Sequence, residues 1–426
     1  MTKPRRWTRL DNAAKIYPAA QRRGWAALFR LSATLTEPVD PVILEEAQRR
    51  TAQRFGVFSY KLKRGMFWYY LEDSDDMPKV EPDVGNPCIC MRPRDNDGFS
   101  FRVRYYENRI AVEIFHVLTD GTGGLLFLKT LVAEYLRLKY RVRIPATDGV
   151  FDCDEAPKPE EIADGFMENA GSFTKSRSEE DAFRIPGAVE KDHFVHIVTG
   201  SIPAKVLLEK AHEKNVTLTE YLTAVLIESI VAIQSRTVIR RKRQKPVKIT
   251  VPVNLRGFFP SKTLRNFANY VNPGIDPRCG SYTFDEILSD VHHFMGLEVT
   301  KKALSAKITT NVRSEQNKIL RMAPLFLKNP VMRIVFNAVG DRKSSTCFSN
   351  LGNTKLPEEM AKYVTRMEFI LGPLSRNRVA VAALSYDGTL RMNFTRTLVE
   401  PVVEQEFFTR LVKLGIPVKV ESNQRW

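Results

Sequence analysis

The chain has 426 residues, 43% of them hydrophobic, which is more than one core usually holds and predicts two subdomains or one large composite. Lysine and arginine number 65 against 49 aspartate and glutamate, a net charge of +16, so the surface should attract nucleic acid, anionic lipid or phosphate-bearing cofactors. The longest apolar run, Tyr221 to Ile233, is shorter than the roughly 18 to 20 residues that span a membrane and contains Glu228, which predicts a soluble protein with no membrane span.

The N-terminal stretch MTKPRRWTRLDNAAKIYP has basic residues but lacks the apolar core of a secretory signal, so we expect a cytoplasmic protein. The five cysteines are an odd number scattered along the chain, which fits reduced thiols better than a disulfide framework. Cys88 and Cys90 are not followed by a Cys/His pair at zinc spacing. We therefore predict no metal site.

The first elements alternate between strand and helix patterns. A strand is predicted over Phe29 to Leu35, followed by a helix from Asp40 to Phe55, with Asp40 as N-cap and Pro41 in the first turn. Two strands, FSYKLKRG and MFWYYLE, are predicted next, and a hairpin follows in FSFRVRYYENRIAVEIFHV, with Glu107 and Asn108 at its turn. A helix with an apolar stripe follows from Leu125 to Tyr140.

From about Ala146 to Gly187 the periodicity disappears, and acidic, proline and serine residues predict a solvated crossover between two halves. The second half begins with the strand HFVHIVTGSI and two helices, the second capped by Thr217 or Thr219. It ends with a hairpin turning at Asp387 and Gly388 and a helix closed by Gly415.

These elements predict an α/β fold with mixed or antiparallel sheets. We divide the chain into an N-terminal lobe of residues 1–146, a crossover linker of residues 147–187 and a C-terminal lobe of residues 188–426.

The strand RIAVEIFHV carries a histidine at its end. Alternation places Ile110, Val112, Ile114 and His116 on one apolar face. A lone histidine there is usually a satisfied core residue, but burial also favours the neutral imidazole that a general base requires. Four residues on, Asp120 has three open interpretations: it shapes an Asx turn, caps the next helix, or forms a buried salt bridge with a distant arginine.

The segment FHVLTDG resembles the HxxxDG signature of the chloramphenicol acetyltransferase-like superfamily, which includes condensation domains, plant acyltransferases and alcohol acetyltransferases. Three further stretches strengthen the resemblance: VPVNLR, LRNFANYVNP and CFSNLGN. The resemblance runs from RLDNAAKIYPA to the last helix, and it is nearest to the alcohol acetyltransferase-like proteins.

The resemblance implies a two-lobed enzyme, each lobe a mixed sheet flanked by helices, with a tunnel between the lobes. In such an enzyme His116 removes a proton from an alcohol, amine or thiol acceptor as it attacks the thioester of an acyl-CoA cosubstrate, without an acyl-enzyme. The motif's Asp120 and Gly121 are structural, and Arg256 is the expected partner of Asp120, with Arg265 as the fallback. Oxyanion stabilisation needs a fixed donor, for which Ser349 and Asn350 are the candidates.

Two departures distinguish branches of the family. Condensation domains usually carry two adjacent histidines, whereas Phe115 precedes His116 here, which weakens a peptide-forming assignment. The DFGWG segment of the plant acyltransferases is missing from the sequence. The alternatives are an acyltransferase that receives its acyl group from a carrier protein, and a non-catalytic relative that binds a ligand or protein.

The basic run Ile239 to Lys248 is a candidate nucleic-acid or localisation patch, but such runs are more often solvated turns. No zinc finger, RNA-recognition or helix-turn-helix pattern accompanies it. We therefore predict no nucleic-acid partner, and coenzyme A phosphates would use the same positive charge.

Overall fold

The computed structural model describes residues 6–21, 27–91, 96–176, 179–191, 194–316, 322–335, 342–373 and 377–424. Its strands are β1 Trp7–Arg9, β2 Leu28–Leu35, β3 Tyr60–Arg64, β4 Tyr69–Asp73, β5 Glu81–Pro82, β6 Phe101–Tyr106, β7 Arg109–Phe115, β8 His196–Pro203, β9 Val247–Asn254, β10 Ala268–Val271, β11 Gly274–Ile275, β12 Thr346–Asn353, β13 Val364–Leu371, β14 Val379–Tyr386, β15 Thr389–Arg396 and β16 Lys419–Ser422.

The α-helices are α1 Ile16–Ala20, α2 Pro41–Arg54, α3 Gly121–Tyr140, α4 Pro159–Ile162, α5 Gly165–Glu168, α6 Ala204–Glu213, α7 Leu218–Thr237, α8 Phe284–Glu298, α9 Lys301–Gln316, α10 Leu325–Val335, α11 Glu358–Ala361 and α12 Val402–Lys413. Short 3₁₀ turns lie at Val57–Ser59, Arg241–Arg243, Leu255–Gly257 and Pro277–Cys279.

The first lobe is built on a sheet of order β13-β2-β7-β6-β5. Its central strands β2, β7 and β6 pair antiparallel, and β6 and β7 form a hairpin. Helices α2 and α3 pack together, and α3 also lies against β2 and β7. The apolar sides of these helices and strands enclose one core, which holds the end of β7 firmly in place.

The second lobe is built on a sheet of order β10-β9-β12-β14-β15-β8-β16, with β11 beside β9. Strand β12 pairs parallel with both β9 and β14, while the β14–β15 and β15–β8 pairs are antiparallel. Helices α7, α8 and α12 cover a second core. A separate sheet of order β1-β4-β3 lies at the side of the molecule. The mixed α/β architecture expected from the sequence is confirmed.

Most predicted elements are confirmed within a few residues. Asp40 caps α2 through its side chain, and Thr217 caps α7 in a capping box. The β6–β7 and β14–β15 hairpins turn at the predicted residues. Helix α7 is long and apolar enough to cross a membrane, but 67% of its most apolar window is buried, and many of its side chains belong to the second core.

Two features of the lobes differ from the sequence expectation. Strand β13 falls within the predicted C-terminal segment, yet it pairs antiparallel with β2 and completes the first sheet. The crossover is partly buried, because α5 places Phe166 in the second core and Glu161 of α4 binds Arg54 at 2.7 Å. Pattern alone assigns neither feature, since both depend on contacts between distant segments. The boundaries at 146 and 187 stay a prediction.

A buried cluster of charged residues ties β7 to its neighbours. Glu113 is fully buried and accepts hydrogen bonds from Arg102 at 2.6 Å, Arg30 at 3.1 Å and the Cys88 backbone N–H at 3.0 Å. Burial raises the pKa of Glu113, but the charges of Arg102 and Arg30 outweigh it and lower the pKa overall. By strand alternation Glu113 lies on the face of β7 opposite Val112 and Ile114, and the segment that contains Cys88 covers it there.

We predict that Glu113→Gln lowers the free energy of unfolding by about 3 to 5 kcal/mol at neutral pH, because Arg30 and Arg102 lose a buried counter-charge. The depressed pKa makes this contribution present above the carboxyl's unfolded pKa and lost as pH falls through the folded value. Urea unfolding at several pH values measures both effects. Glu46→Gln, which removes only an exposed pair with Arg49, is the control; equal losses in the two variants would contradict the prediction.

Candidate active site

His116 lies directly after β7, at the first residue of the turn that leads to α3. Its backbone N–H donates to the Ala27 carbonyl at 3.0 Å, so the sheet pairing continues to this residue although the strand ends at Phe115. The half-buried imidazole stacks on Tyr17, with ring centroids 4.8 Å apart, and meets the edge of Phe29 at 5.1 Å. Two aromatic rings therefore fix the plane of the imidazole.

The hydrogen bonds of Asn266 define which imidazole nitrogen carries the proton. Its Nδ2 donates to the His116 backbone carbonyl at 3.0 Å and to Asp11 Oδ2 at 3.1 Å. Because a backbone carbonyl only accepts, the amide oxygen Oδ1 must be the atom that lies 2.9 Å from His116 Nδ1. In the neutral ring Nδ1 therefore carries the hydrogen, and Nε2 keeps the lone pair that accepts a proton.

Burial lowers the pKa of His116, because the imidazolium loses hydration there. The hydrogen bond with Asn266 and the negative charge of Asp120 oppose this effect without reversing it. The imidazole is consequently neutral near pH 7, which is the state that the sequence pattern predicted and that a general base requires.

Asp120 connects the two lobes through a buried carboxylate. Its Oδ1 accepts from the Gly123 N–H at 3.0 Å and caps α3, while its Oδ2 accepts from Arg256 Nη1 and from the Phe267 N–H, both at 2.8 Å. Asp120 therefore both caps α3 and forms a salt bridge, two of the three interpretations made from the sequence. Both are possible at once because each uses a different carboxylate oxygen. Arg265 binds Asp11 instead, with Nε 3.5 Å from Oδ2.

Arg256 is held so that its guanidinium faces Asp120. Its Nε donates to the Thr263 carbonyl at 2.9 Å and its Nη2 to the Arg265 carbonyl at 2.6 Å. The guanidinium thus bonds both to Asp120 and to the segment that leads into β10, so a lysine would replace only part of the contact.

Helix α3 begins at Gly121, four residues before the predicted start, because the glycines form its first turn rather than a loop. Gly123 lies where no side chain fits: a Cβ there would be 2.0 Å from Thr119 Oγ1 and 2.4 Å from the Leu264 carbonyl oxygen. Thr119 Oγ1 also donates to that carbonyl at 2.5 Å. The glycine sequence therefore allows the helix start to approach the second lobe closely.

Ser349 and Asn350 lie on β12, at the wall of the cavity next to His116. The Asn350 side chain is engaged locally: its Nδ2 donates to Thr219 Oγ1 at 3.1 Å, and its Oδ1 accepts from the Gly352 N–H at 2.9 Å. Cys347, Ser349, Asn350 and Leu351 all line the cavity, so both candidates reach it.

The cavity has a volume of about 1050 Å³ and is enclosed by both lobes. Among its lining residues are Tyr17, Gly121, His116, Tyr270, Ser349 and Phe369. Lys175 and Lys307 also line it and share the single carboxylate of Glu298, the latter at 3.1 Å. Over the whole lining, basic side chains (Arg9, Lys15, Lys175, Lys307 and Lys328) outnumber carboxylates (Asp120, Glu179 and Glu315), which suits a phosphate-bearing ligand.

Sequence reasoning assigned no role to three residues that support His116. Asp11 and Tyr17 lie in the stretch RLDNAAKIYPA, and Asn266 lies in LRNFANYVNP, both of which had been linked to the family only as segments. No local pattern identifies their roles, because Asn266 is 150 positions from His116 and meets it only through tertiary packing.

No protein-family model matches the sequence, and no curated protein is significantly similar to it. Solved structures are similar over nearly the whole chain. TRI101 of F. sporotrichioides, complexed with coenzyme A and T-2, has a TM-score of 0.63 at 12% identity, covering 98% of this chain and 100% of its own. The first condensation domain of the calcium-dependent antibiotic synthetase has a TM-score of 0.61 at 15% identity, with 96% of each chain covered.

Polyketide synthase associated protein 5 from Mycobacterium tuberculosis is similar too, with a TM-score of 0.59 at 13% identity, covering 95% of this chain and 96% of its own. These likenesses confirm the two-lobed fold that the sequence motifs implied. The chain thus shares its fold with TRI101, whose structure contains coenzyme A, and with condensation domains.

We predict that Asn266→Ala lowers kcat by about 10- to 100-fold with little change in KM, because the ring no longer holds its hydrogen on Nδ1. The ¹⁵N chemical shifts of the His116 ring should change toward a mixture of tautomers. Asn266→Asp still accepts from Nδ1 but adds a negative charge, so it should move the activity profile to higher pH.

The matched control is Asn272→Ala, which removes another buried amide, one that binds Thr250 and Glu179. It should leave the His116 ring spectrum unchanged. An Asn266→Ala variant with an unaltered ring spectrum would show that Asn266 does not fix the tautomer.

Proposed function

We propose that this chain, which has the chloramphenicol acetyltransferase-like fold, moves an acyl group from acyl-CoA to an alcohol or related acceptor. The donor is acetyl-CoA in the simplest form of the proposal, and the acceptor is a small alcohol, amine or thiol. The observation that carries the proposal is His116: a neutral imidazole with its proton fixed on Nδ1, in a cavity of about 1050 Å³ between two lobes.

In the proposed reaction His116 Nε2 takes the proton of the acceptor hydroxyl as the oxygen attacks the thioester carbonyl carbon. The C–O bond forms, and the carbonyl electrons move onto the oxygen of a tetrahedral intermediate. When the intermediate collapses, the C–S bond breaks and the imidazolium returns its proton to the departing thiolate. Transfer is direct, with no acyl-enzyme, and atoms and charges balance without a metal or redox cofactor.

Ser349 is the proposed donor to the oxyanion, because it lines the same cavity as His116 and carries a hydroxyl. Asn350 is the weaker candidate, since its amide already bonds to Thr219 and the Gly352 N–H. Asp120 and Arg256 would act by holding the turn after His116, and Gly121 by leaving room beside Leu351, which a Cβ would approach to 2.9 Å.

The donor site is proposed for the wall that carries Lys175 and Lys307, in a cavity whose lining has five lysine and arginine side chains against three carboxylates. The coenzyme A in the TRI101 complex supports an acyl-CoA donor by fold analogy. Within the fold we favour the alcohol acetyltransferase-like branch, and we propose a cytoplasmic location.

A carrier-protein donor is the second candidate, and the likeness to condensation domains favours it. Phe115, in place of the first of two adjacent histidines, argues against the peptide-forming reaction. Saturable use of an acyl-carrier protein, with no use of acyl-CoA, would select this candidate. A non-catalytic relative that binds a ligand in the cavity would show tight binding unaffected by His116→Ala and no turnover.

We predict that His116→Ala lowers the rate of thiol release from acetyl-CoA and longer acyl-CoAs by about 10²- to 10⁴-fold. The rate is compared across a panel of alcohols and amines. Free thiol is measured with a chromogenic disulfide. His212→Ala, an exposed histidine on α6, is the control and should retain full activity. Equal thiol release by wild type and His116→Ala would contradict the proposal.

We predict that kcat/KM rises with pH through a pKa below the ordinary histidine value and is constant around neutrality. The direction follows because burial lowers the pKa of His116, so the base becomes protonated only in acid. The profile is measured between about pH 5 and 9, with folding checked by circular dichroism at each pH. An inflection above about pH 6.5 would exclude His116, as placed here, as the base.

A further inference from the structure

Large apolar side chains are exposed on one surface of the molecule. From β1 and the tip of the β3–β4 hairpin come Trp7, Met66 and Trp68, and from α10 come Phe326, Leu327, Val331 and Ile334. Their exposed fractions run from 44% for Trp68 to 69% for Met66. We call these seven residues the apolar rim. Single exposed apolar residues are ordinary, but a contiguous group of this size indicates a binding surface.

Hydrogen bonds join the parts of the apolar rim into one surface. The Leu325 N–H donates to the Met66 carbonyl at 2.9 Å, and Lys328 Nζ donates to the Phe67 carbonyl at 2.8 Å. Asn329 Nδ2 donates to Tyr69 Oη at 2.9 Å, so successive residues of α10 meet the hairpin. Strand β1 joins the same hairpin by pairing antiparallel with β4.

One side of helix α10 lines the cavity, and the other side faces solvent. Leu325, Asn329 and Met332 line the cavity that contains His116, whereas Phe326 and Ile334 face solvent. Two rim residues, Trp68 and Val331, are both exposed and part of the cavity wall. The cavity therefore opens to solvent within the apolar rim.

The charged residues of the hairpin tip and of α10 are basic, although Glu72, which pairs with Trp7 across β1 and β4, is acidic. Arg9, Arg64 and Arg333 are exposed, and the Arg9 guanidinium lies 5.5 Å from the centre of the Trp68 ring. Neither the hairpin tip, residues 64–68, nor α10 contains an aspartate or glutamate. With a net charge of +16 on the chain, a second copy would be repelled, whereas an anionic surface would be attracted.

We propose that the apolar rim docks onto the surface of a membrane containing anionic phospholipid, without spanning it. Tryptophan and arginine beside an amphipathic helix are the groups that suit the boundary between lipid headgroups and acyl chains. The substrate follows from the opening: a long-chain alcohol or acyl chain could pass from the bilayer into the cavity without crossing water. This substrate class rests on the proposed acyl transfer, but docking itself does not.

Vesicle co-sedimentation of the full chain tests docking. Binding is expected to phosphatidylcholine vesicles containing phosphatidylglycerol, and to be much weaker to phosphatidylcholine alone. The double variant Phe326→Ser, Ile334→Ser should lower binding at least about tenfold, because two inserted side chains are lost. The double variant Arg64→Glu, Arg333→Glu should weaken binding to anionic vesicles specifically.

The matched control is Leu297→Ser with Val412→Ser, which removes two apolar side chains that are 75% and 58% exposed on α8 and α12. It should bind vesicles as wild type does. An equal loss in this control, or no binding of wild type to anionic vesicles, would overturn the proposal. The proposal would also be overturned if the apolar rim were needed for self-association, or for binding to an acidic acyl-carrier protein, but not for binding to vesicles.

Failure of docking and failure of the proposed reaction give different results. Thiol release with a short, water-soluble alcohol and acetyl-CoA, assayed without vesicles, depends on His116 and should be unchanged by Phe326→Ser, Ile334→Ser. With a long-chain alcohol presented in vesicles, the same variant should raise the apparent KM several-fold. An unchanged KM in vesicles would contradict the substrate class but leave His116 chemistry intact.

Discussion

The buried carboxylate of Asp120 is the contact on which the arrangement of the site depends. One oxygen closes the first turn of α3 and the other binds Arg256 and the Phe267 N–H, so a single residue joins the two lobes next to His116. A buried carboxylate without these donors would be costly, and each donor would lose its partner if the lobes separated. The distance between the lobes, and with it the shape of the cavity, is therefore fixed at the end of β7.

The same contact explains why His116 remains a neutral base although a carboxylate lies four residues away. Arg256 balances the charge of Asp120, and the charge of Asp120 opposes the fall in the pKa of His116 that burial causes without reversing it. Asn266 then fixes the ring without adding charge, because an amide can accept from Nδ1 and donate to the His116 carbonyl. The charge balance around the imidazole and its orientation therefore come from different residues, Arg256 and Asn266. Both residues belong to the second lobe.

The cavity combines two environments that a transfer between a polar donor and an apolar acceptor would need. Basic side chains outnumber carboxylates along its wall, while α10 and the β3–β4 hairpin contribute apolar lining residues such as Leu325, Trp68 and Val331. The solved structures that share this fold include a coenzyme A complex and condensation domains, so the fold itself accommodates different donors. Side chains on the cavity wall, rather than the fold, would decide which substrates are used.

The sequence by itself determined the local features of the site. The β6–β7 hairpin, the histidine at its end and the helix after the glycines follow from alternation, turn residues and apolar periodicity, which depend on neighbours in the chain. Only the tertiary structure decided the start of α3 at Gly121, the place of β13 in the first sheet and the buried partners of Glu113. It also decided that Asn266 holds the imidazole and that α10 lies at the cavity opening. These contacts join residues far apart in the chain, and packing, which local patterns do not encode, brings them together.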